Sequence, residues 1–566
     1  MQASGLRARI FEQHSSLGGY CARPTKPEQA LTVSNWLIAF SDFVSDIPDM
    51  SNWMQYPTAE TYCRYLEKYA EEFGLKEHIT YNAPPCVVTS SQPVYSRSLI
   101  VATGANQQTN PLPRGLQGYT GKVINISDYD RSFEDEVRKK DMRVLVVGGG
   151  ESGADVAADL ANIAPGRVDV LLRHYIAAGG RFQNKESEAK QLVASRSTRF
   201  PMTAFLETYV ASHLSSKVSR YFCDLMLMLF WRLGTLEEET SRMCLDHPNP
   251  QASVVTKNQR MFEASHDKKL EIVIAPEFAA NEKTVVFSSN GREVKIAEYD
   301  AIVLCTGFHA GRFDWLHIDQ PKAFNPRDCW LHCFPPSLGN CLFFVGHARP
   351  QQGGIPAMAE ILSRYIARIL SGASTLPTNY EALAVHDAAT EREYYSATPD
   401  LHTLVDYNAF IESVSRRIGC EPRLPLSLIL LYNIHMFSWL FPLLFTTTRM
   451  TALLALATYL LTTLLLTTTL NSLFVKFLLC PRWPIFYRQR GPGARPDLLS
   501  TRLASISLGK DIVLSPLLVV AMVLCAFDGV VRGAYRGRGG GGAVRGGVWG
   551  VVEAKVIWVA WGGVER

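Results

Sequence analysis

The residues best suited to chemistry form a glycine-rich turn in the first third of the chain. The apolar run from Val144 to Val147 is typical of a buried parallel strand, and the sequence Gly-Gly-Gly-Glu-Ser-Gly follows it at 148–153. Ala154 to Ile163 then has a helical pattern. Glycines between a strand and a helix let backbone N–H groups approach a pyrophosphate, which the helix N-terminus stabilises. The spacing predicts a dinucleotide site at Gly148, Gly150, Ser152 and Gly153.

The residue after the next strand indicates which nucleotide would bind. Val168 to Leu172 is a second apolar run, and Arg173 follows it where a site for NAD would carry an acidic residue. A guanidinium suits the 2′-phosphate of NADP through charge-assisted hydrogen bonds. The sequence therefore favours NADPH, and a solvated surface arginine is the alternative.

A second group of residues indicates a flavin nucleotide. Glu12 ends a predicted strand, Leu6 to Glu12, and Gly18-Gly19 follow it. An acidic residue in that place suits the unphosphorylated adenosine ribose of FAD. Such a strand normally follows another strand, a glycine turn and a helix, and the residues before Leu6 are too few for that unit. We therefore expect the FAD module to lack its first strand and glycine loop in the sequence as given.

The elements that would position these residues alternate between strands and helices. Two apolar runs end in Thr-Gly, at Thr103-Gly104 and at Thr306-Gly307. This repeat predicts two modules, each with a strand whose end lies against a cofactor. Residues 57–76 have helical periodicity, and Asn290-Gly291 predicts a hairpin turn. The pattern predicts an α/β fold with two dinucleotide-binding, Rossmann-like domains.

Composition excludes several classes of protein. A length of 566 residues predicts two to four domains, and a net charge of +4 is too small to indicate nucleic acid. The 12 cysteines form no CxxC pair, so we expect no metal site and reduced thiols in a cytosol-facing protein.

A very apolar region begins after residue 423. No charged residue occurs from Pro425 to Thr448 or from Met450 to Val475, and either run could cross a bilayer core of about 30 Å. The region predicts membrane attachment, as two spanning helices or as an in-plane platform, with a buried soluble segment as the alternative. Residues 531–566 are rich in glycine and arginine and predict a low-complexity tail.

Taken in order, these segments resemble the flavin-containing monooxygenase family. The segments that carry the resemblance are FEQHSSLGGY (11–20), FSDF (40–43), YLEKYAEEFGL (65–75), LIVATGANQQTNPLP (99–113), VLVVGGGESGADVA (144–157), AIVLCTGF (301–308), LFFVGHARP (342–350) and YRQRGPGARP (487–496). The resemblance implies an NADPH domain inserted into an FAD domain. The domains it implies are an FAD domain at 1–135 that resumes at 308–423, an NADPH domain at 140–307 with a helical insertion at about 199–245, and a membrane-associated region at 424–530.

The resemblance also implies an activity. In that family NADPH reduces the flavin, molecular oxygen adds at flavin C4a, and the hydroperoxide oxygenates nitrogen or sulfur in small lipophilic molecules. Gly346 would join the FAD contacts, and Asn35 and Asn125 would be polar neighbours of the flavin at the catalytic centre. The implied location is the endoplasmic reticulum membrane, with the catalytic domains facing the cytosol.

This sequence departs from the family pattern at its signature, F-x-G-x-x-x-H-x-x-x-Y. The corresponding stretch runs from Tyr119 to Tyr129, with Tyr119 in place of Phe and Asn125 in place of His. Two other interpretations stay open: a Baeyer–Villiger-type or other NADPH–flavin oxidoreductase, and a catalytically inactive relic without the FAD glycine loop.

Overall fold

Short apolar runs form the strands, and longer amphipathic runs form the helices. The strands are β1 (Ile10–Phe11), β2 (Ile79–Thr80), β3 (Leu99–Val101), β4 (Gln108–Thr109), β5 (Lys122–Asn125), β6 (Val144–Val147), β7 (Val168–Leu172), β8 (Leu270–Ile274), β9 (Glu277–Asn281), β10 (Thr284–Ser289), β11 (Arg292–Glu298), β12 (Ala301–Leu304), β13 (Phe308–His309), β14 (Leu342–Phe344), β15 (Arg349–Pro350) and β16 (Leu404–Val405). The helices are α1 (Asn35–Ile38), α2 (Ala59–Glu72), α3 (Arg131–Lys140), α4 (Glu151–Ile163), α5 (Arg260–His266), α6 (Ile355–Leu370), α7 (Tyr380–Tyr394) and α8 (Tyr407–Ile418).

This computed structural model describes only part of the chain. The described residues are 5–22, 31–33, 35–43, 57–84, 95–173, 176, 256, 260–309, 313–316, 325–350, 353–396, 403–420, 457–458, 460–462, 488 and 490–498. All but those between 457 and 462 belong to one compact unit, which comprises Met1–Ser195, Arg242–Glu421 and Tyr487–Leu498. The predicted insertion at 199–245, most of the apolar region and the tail lie outside the described residues. Among the described residues, no helix combines the length and the apolar character needed to cross a membrane.

Five parallel strands form the central sheet, in the order β5-β12-β6-β7-β8. Every residue of β6, β7 and β12 is buried. A parallel strand covered on both faces needs apolar side chains at successive positions, which explains the uninterrupted runs in the sequence. These five strands, with the elements that cover them, are called the parallel-sheet module below.

Alternate residues of these strands serve two separate cores. Val144 and Val146 pack with the helices α3, α4 and α5 on one face of the sheet. Leu145 and Val147 face the opposite way, against an antiparallel sheet of β9, β10 and β11. The parallel-sheet module therefore has three layers, because successive side chains of a strand point to opposite faces.

The hairpin predicted at Asn290-Gly291 is confirmed. β10 and β11 pair antiparallel up to Ser289 and Arg292, so the two residues between them form the whole loop. Asn290 has a φ of 51° and Gly291 a φ of 70°, the left-handed pair that a tight hairpin of matching twist requires.

The parallel sheet includes residues that precede the boundary predicted at 135–140. β5 pairs with β12 over Lys122–Asn125, and α3 packs on the same sheet through Phe133 and Val137. The parallel-sheet module therefore begins near residue 122. The sequence around β5 contains polar residues at an edge position, so its periodicity did not mark it as part of this sheet.

The remaining elements form a second group around α2 and α6. The helix predicted at 57–76 is present as α2, where Thr58 caps the first turn and Tyr62, Tyr65 and Ala70 are buried. The strand predicted from Leu6 to Glu12 is shorter than expected, because only Ile10–Phe11 pair with β2. β3 and β14 form another parallel pair.

A buried ion cluster holds this second group together. Glu360 on α6 accepts hydrogen bonds from the Ser41 backbone at 3.0 Å and from the Ser41 hydroxyl. Its carboxylate also contacts Arg364 at 2.6 Å and Arg488 at 2.9 Å. Arg488 donates a further 2.6 Å hydrogen bond to the Ala39 carbonyl. Burial opposes the charge on Glu360, but the two guanidinium groups outweigh it and lower the pKa of this carboxyl.

We expect Glu360→Gln to lower the free energy of unfolding by about 3–5 kcal/mol at neutral pH, because two buried guanidinium groups lose their counter-charge. A lowered pKa in the folded state stabilises the fold above about pH 4.3, the ordinary pKa of Glu, and this stabilisation is lost as the pH falls through the folded pKa. The difference between the two proteins should therefore shrink on acidification.

Urea unfolding at several pH values measures this difference. Glu72→Gln, on the exposed side of α2, is the control and should change stability by less than about 0.5 kcal/mol. A constant deficit for Glu360→Gln from pH 7 down to pH 3 would contradict the assigned role of its charge.

Candidate functional site

The predicted glycine turn lies at the carboxyl end of β6, where α4 begins. Gly148 has a φ of +109°, and a Cβ there would lie 2.4 Å from the carbonyl oxygen of Cys305. A Cβ on Gly153 would lie 1.9 Å from the carbonyl oxygen of Gly148. Packing alone therefore requires glycine at both positions: Gly148 for the turn, and Gly153 for the close approach of α4 to β6.

Gly150 differs from these two glycines. Its φ of −68° is open to any residue, and a Cβ there would meet no atom within 4 Å. Gly150 is also the N-cap of α4 and provides no side chain to cap the helix. The N–H groups of the first turn, which includes Ser152, have no partner within the helix and favour an anion. The protein therefore leaves open space where a pyrophosphate would approach the backbone.

Arg173 lies on the same edge of the sheet, directly after β7. Its side chain is exposed. β7 is the neighbour of β6, so the turn at Gly148 and the position of Arg173 lie at the carboxyl ends of adjacent strands. A ligand in the crevice at this edge can meet both positions, as in other open α/β sheets. The next two residues, His174 and Tyr175, lie outside the described residues.

The two Thr-Gly segments meet at a short antiparallel ladder. β4, which follows Thr103-Gly104, pairs with β13, which follows Thr306-Gly307. Asn110 fixes this contact: its Nδ2 donates to the Thr306 carbonyl at 2.8 Å, and its backbone N–H donates to the Gly307 carbonyl at 3.1 Å. The structure thus brings the two segments together. Sequence reasoning missed Asn110, because an asparagine in a loop carries no signal of a partner 196 residues away.

The predicted FAD contacts occupy two places in the second group of elements. Glu12 follows β1 and is half-buried, and its Oε1 accepts a 2.8 Å hydrogen bond from the His14 backbone. Gly18 and Gly19 both have positive φ, and a Cβ on Gly18 would lie 2.6 Å from the Cys63 sulfur. Gly346 follows β14, whose parallel partner β3 leads to Thr103-Gly104. Gly346 and Thr103-Gly104 therefore lie after the carboxyl ends of adjacent strands.

The two asparagines predicted at the catalytic centre lie in different parts of the fold. Asn125 is the last residue of β5 and is paired in register with Leu304 of β12. It therefore lies at the carboxyl edge of the parallel sheet, with β12 between it and the strand that leads to Gly148. Asn35 is the first residue of α1, and the side chain of Asn35 lies outside the described part of the chain. α1 contacts the start of α6, because a Cβ on Gly354 would lie 2.1 Å from the carbonyl oxygen of Leu37.

The described cysteines are free thiols: Cys21, Cys63, Cys305, Cys329, Cys333, Cys341 and Cys420. Cys305 lies beside the glycine turn, and burial raises the pKa of its thiol to about 12. A thiol with such a pKa is neutral at pH 7 and a poor nucleophile. Cys305 therefore contributes packing to the turn.

Comparisons with known proteins agree with this architecture. A family model described as pyridine nucleotide-disulphide oxidoreductase matches residues 20–193, and one described as flavin-binding monooxygenase-like matches residues 266–441. A 4-hydroxybenzoate brominase (decarboxylating) of Marinomonas mediterranea is 29% identical over 447 residues, which are 74% of this chain and 81% of that protein. Human flavin-containing monooxygenase 5 is 24% identical over 455 residues, 74% of this chain and 80% of the relative.

A solved structure supports the fold. The crystal structure of OTEMO in complex with FAD and NADP matches 73% of this chain and 94% of that chain, with a TM-score of 0.52 and 13% identity. The fold and the glycine turn define a flavoprotein oxidoreductase with two dinucleotide-binding modules. The chain is similar to the flavin-containing monooxygenases, and these similarities support an enzyme of that class that uses FAD and NADPH.

Substitution of two glycines in the turn should separate packing from ligand binding. Gly148→Ala should destabilise the protein by about 2 kcal/mol or more, because it combines a positive φ with a clash against the Cys305 carbonyl. Gly150→Ala should change the free energy of unfolding by less than about 0.5 kcal/mol, because its Cβ enters open space. Urea unfolding without nucleotide measures both. Equal destabilisation by the two substitutions would contradict the geometry of the turn.

Proposed function

We propose that this flavin-dependent monooxygenase uses NADPH and FAD to oxygenate nitrogen or sulfur in small lipophilic molecules. The observation that carries the NADPH part is the open space at Gly150, at the start of α4 and on the same sheet edge as Arg173. A glycine that the fold itself does not need is explained by a ligand that approaches the backbone there.

The residues of the parallel-sheet module would divide the work of binding NADPH. The turn from Gly148 to Gly153 would hold the pyrophosphate with backbone N–H groups, with the first turn of α4 supplying the favourable dipole. Arg173 would pair with the 2′-phosphate. Thr306-Gly307, held by Asn110, would close the other side of the crevice.

The residues of the second group would hold FAD. Glu12 would accept hydrogen bonds from the adenosine ribose, and Gly18-Gly19 would let the backbone approach the nucleotide. Thr103-Gly104 and Gly346 would lie against the flavin half, since they follow adjacent strands. Asn35, together with Asn125 from the carboxyl edge of the parallel sheet, would be a polar neighbour of the flavin ring.

Bound flavin supplies the oxygen activation, and the protein supplies position and shielding. The ladder between β4 and β13 joins the segments that follow both Thr-Gly turns, so it connects the two groups of elements at this point. Apolar walls around the reacting atoms would exclude water and protect the activated oxygen until substrate arrives.

A halogenating activity is the second candidate. The brominase relative shares 29% identity across 74% of this chain, more than the 24% shared with human flavin-containing monooxygenase 5. Its name specifies decarboxylative bromination of 4-hydroxybenzoate. On this chain the corresponding substrate would be a phenolic acid.

We also propose attachment to the endoplasmic reticulum membrane through the apolar region, with the catalytic domains facing the cytosol. Segments on either side of the apolar runs between Pro425 and Val475 meet: a Cβ on Gly491 would lie 2.4 Å from the Cys420 sulfur, and Arg488 is buried against Glu360. The chain thus leaves the described unit and rejoins it at one place.

Membranes from expressing cells should retain the full chain through a high-salt wash and release it in detergent. Release by salt alone would contradict an apolar anchor.

Binding of reduced nucleotides tests the role of Arg173. Arg173→Ala should raise the Kd for NADPH about 10- to 100-fold and leave the Kd for NADH unchanged, because only NADPH carries the 2′-phosphate. Arg167→Ala is the matched control: Arg167 precedes the same strand at its opposite end, and its exposed partner is Asp141. Titration calorimetry measures the Kd of each nucleotide for both variants and for the unsubstituted protein. Unchanged affinity of Arg173→Ala for NADPH would refute the assigned specificity.

Product analysis tests the reaction itself. The purified chain, which should show the visible absorbance of bound flavin, is given NADPH, oxygen and one substrate class at a time. An N- or S-oxide from a tertiary amine or thioether supports the proposal, and NADPH oxidation should rise with substrate. An ester from a ketone would assign a Baeyer–Villiger reaction, and a brominated phenol from 4-hydroxybenzoate with bromide would assign halogenation. A colourless protein that still binds NADPH would refute oxygenation.

A further inference from the structure

A buried threonine from a distant part of the chain contacts the glycine turn. The side-chain hydroxyl of Thr256 donates a 2.8 Å hydrogen bond to the carbonyl oxygen of Gly149. Thr256 is 2% exposed, so solvent does not compete for this hydrogen bond. Thr256 lies 107 positions after Gly149 and belongs to no motif, so the sequence alone does not mark it as part of the turn.

The helix that follows Thr256 is anchored on α4. α5 begins at Arg260, whose guanidinium lies 2.6 Å from the carboxylate of Asp159 on α4. Met261 and Phe262 are buried in the same core as the inner face of α4. The start of α5 is therefore fixed against the helix that the glycine turn opens.

The hydrogen bond from Thr256 determines the direction of one N–H group of the turn. The carbonyl of Gly149 and the N–H of Gly150 belong to the same trans peptide, so they point in opposite directions. Because the carbonyl points toward the buried Thr256, the N–H of Gly150 points away from it. Gly150 is exposed, and none of the described residues accepts a hydrogen bond from its N–H.

The peptide between Gly149 and Gly150 has no side chain at either end to hold it. Two adjacent glycines let the carbonyl and the N–H exchange directions at little steric cost. The peptide after Gly150 is fixed by α4 itself, because the Gly150 carbonyl accepts a 2.9 Å hydrogen bond from the Ala154 N–H. Within the described part of the chain, the hydroxyl of Thr256 is the group that holds the peptide before Gly150.

The two directions of this peptide have opposite effects on an anion. An N–H group directed at the crevice attracts a phosphate oxygen, whereas a carbonyl oxygen directed there repels it. The open space at Gly150 is where the pyrophosphate of the nucleotide would approach the backbone. The direction of the peptide therefore decides whether the turn attracts or repels the pyrophosphate.

We propose that Thr256 is a positioning residue for the pyrophosphate of the nicotinamide nucleotide. Its hydroxyl holds the Gly149 carbonyl inward, so the N–H of Gly150 is available to a phosphate oxygen. The inference rests on the proposed NADPH site. It separates recognition of the pyrophosphate, which NADPH and NADH share, from recognition of the 2′-phosphate by Arg173.

Titration calorimetry on the full chain tests this role with three ligands. Thr256→Val keeps the shape of the side chain but removes the hydroxyl, and it should raise the Kd of both NADPH and NADH about 10-fold, because the peptide no longer has one fixed direction. Adenosine 2′-monophosphate carries the 2′-phosphate but no pyrophosphate, so its Kd should not change. Thr256→Ser keeps a hydroxyl and should restore both dinucleotide Kd values to within about twofold.

A second buried threonine provides the matched control. Thr403 lies in the second group of elements, and Thr403→Val should change none of the three constants. Unchanged Kd values of NADPH and NADH for Thr256→Val, or an equal loss of affinity for adenosine 2′-monophosphate, would overturn the positioning role. Absence of NADPH binding by the unsubstituted chain would refute the proposed NADPH site itself, so the two failures are distinguishable.

A crystal structure of the unsubstituted full chain with NADP needs no variant. The Gly150 nitrogen should lie within about 3.2 Å of a pyrophosphate oxygen, while Thr256 keeps its hydrogen bond to the Gly149 carbonyl. A Gly149 carbonyl turned away from Thr256, or a Gly150 nitrogen without a phosphate contact, would overturn the proposal. This result decides the question even if Thr256→Val fails to fold.

Discussion

The close contact between Gly153 and the carbonyl of Gly148 is the constraint on which the carboxyl edge of the parallel sheet depends. No larger residue fits there, since a Cβ would lie 1.9 Å from that oxygen. The contact presses the start of α4 against the end of β6. The helix N-terminus therefore opens onto the space at Gly150, and Arg173 follows the next strand. The position of the positive end of the α4 dipole at this edge therefore depends on the close packing of Gly153 against Gly148.

The sequence predicted those parts of the fold whose signals are local. The apolar runs of β6, β7 and β12, the hairpin at Asn290-Gly291 and the face of α2 each lie within about 20 residues, and periodicity or turn chemistry specifies them. The pairing of β5 with β12 has no such signal, because β5 is a short edge strand with polar residues. Contacts between distant segments, such as Asn110 with Thr306 or Glu360 with Arg488, leave no trace in a single sequence.

The two cofactor modules differ in how fully the described residues define them. The parallel-sheet module has five continuous strands and two complete cores, so its glycine turn can be interpreted atom by atom. Among the described residues, the strands of the second group form two-stranded pairs, and α2, α6 and the buried charges around Glu360 connect them. Hydrogen bonds and ion pairs around Glu360 connect separate elements there, as the continuous sheet connects the elements of the parallel-sheet module.

The contact between Cys420 and Gly491 has a consequence for protein engineering. Because Arg488 is buried against Glu360, a stop codon placed before the apolar region would also delete a counter-ion of the core. Deleting residues 421–487 and joining residue 420 to residue 488 with a few glycines avoids this loss. A short linker suffices, because Cys420 and Gly491 already lie in contact. The shorter loop would also be favoured entropically over the natural one. Crystallisation of the catalytic part is therefore better approached by such a deletion than by shortening the chain from its end.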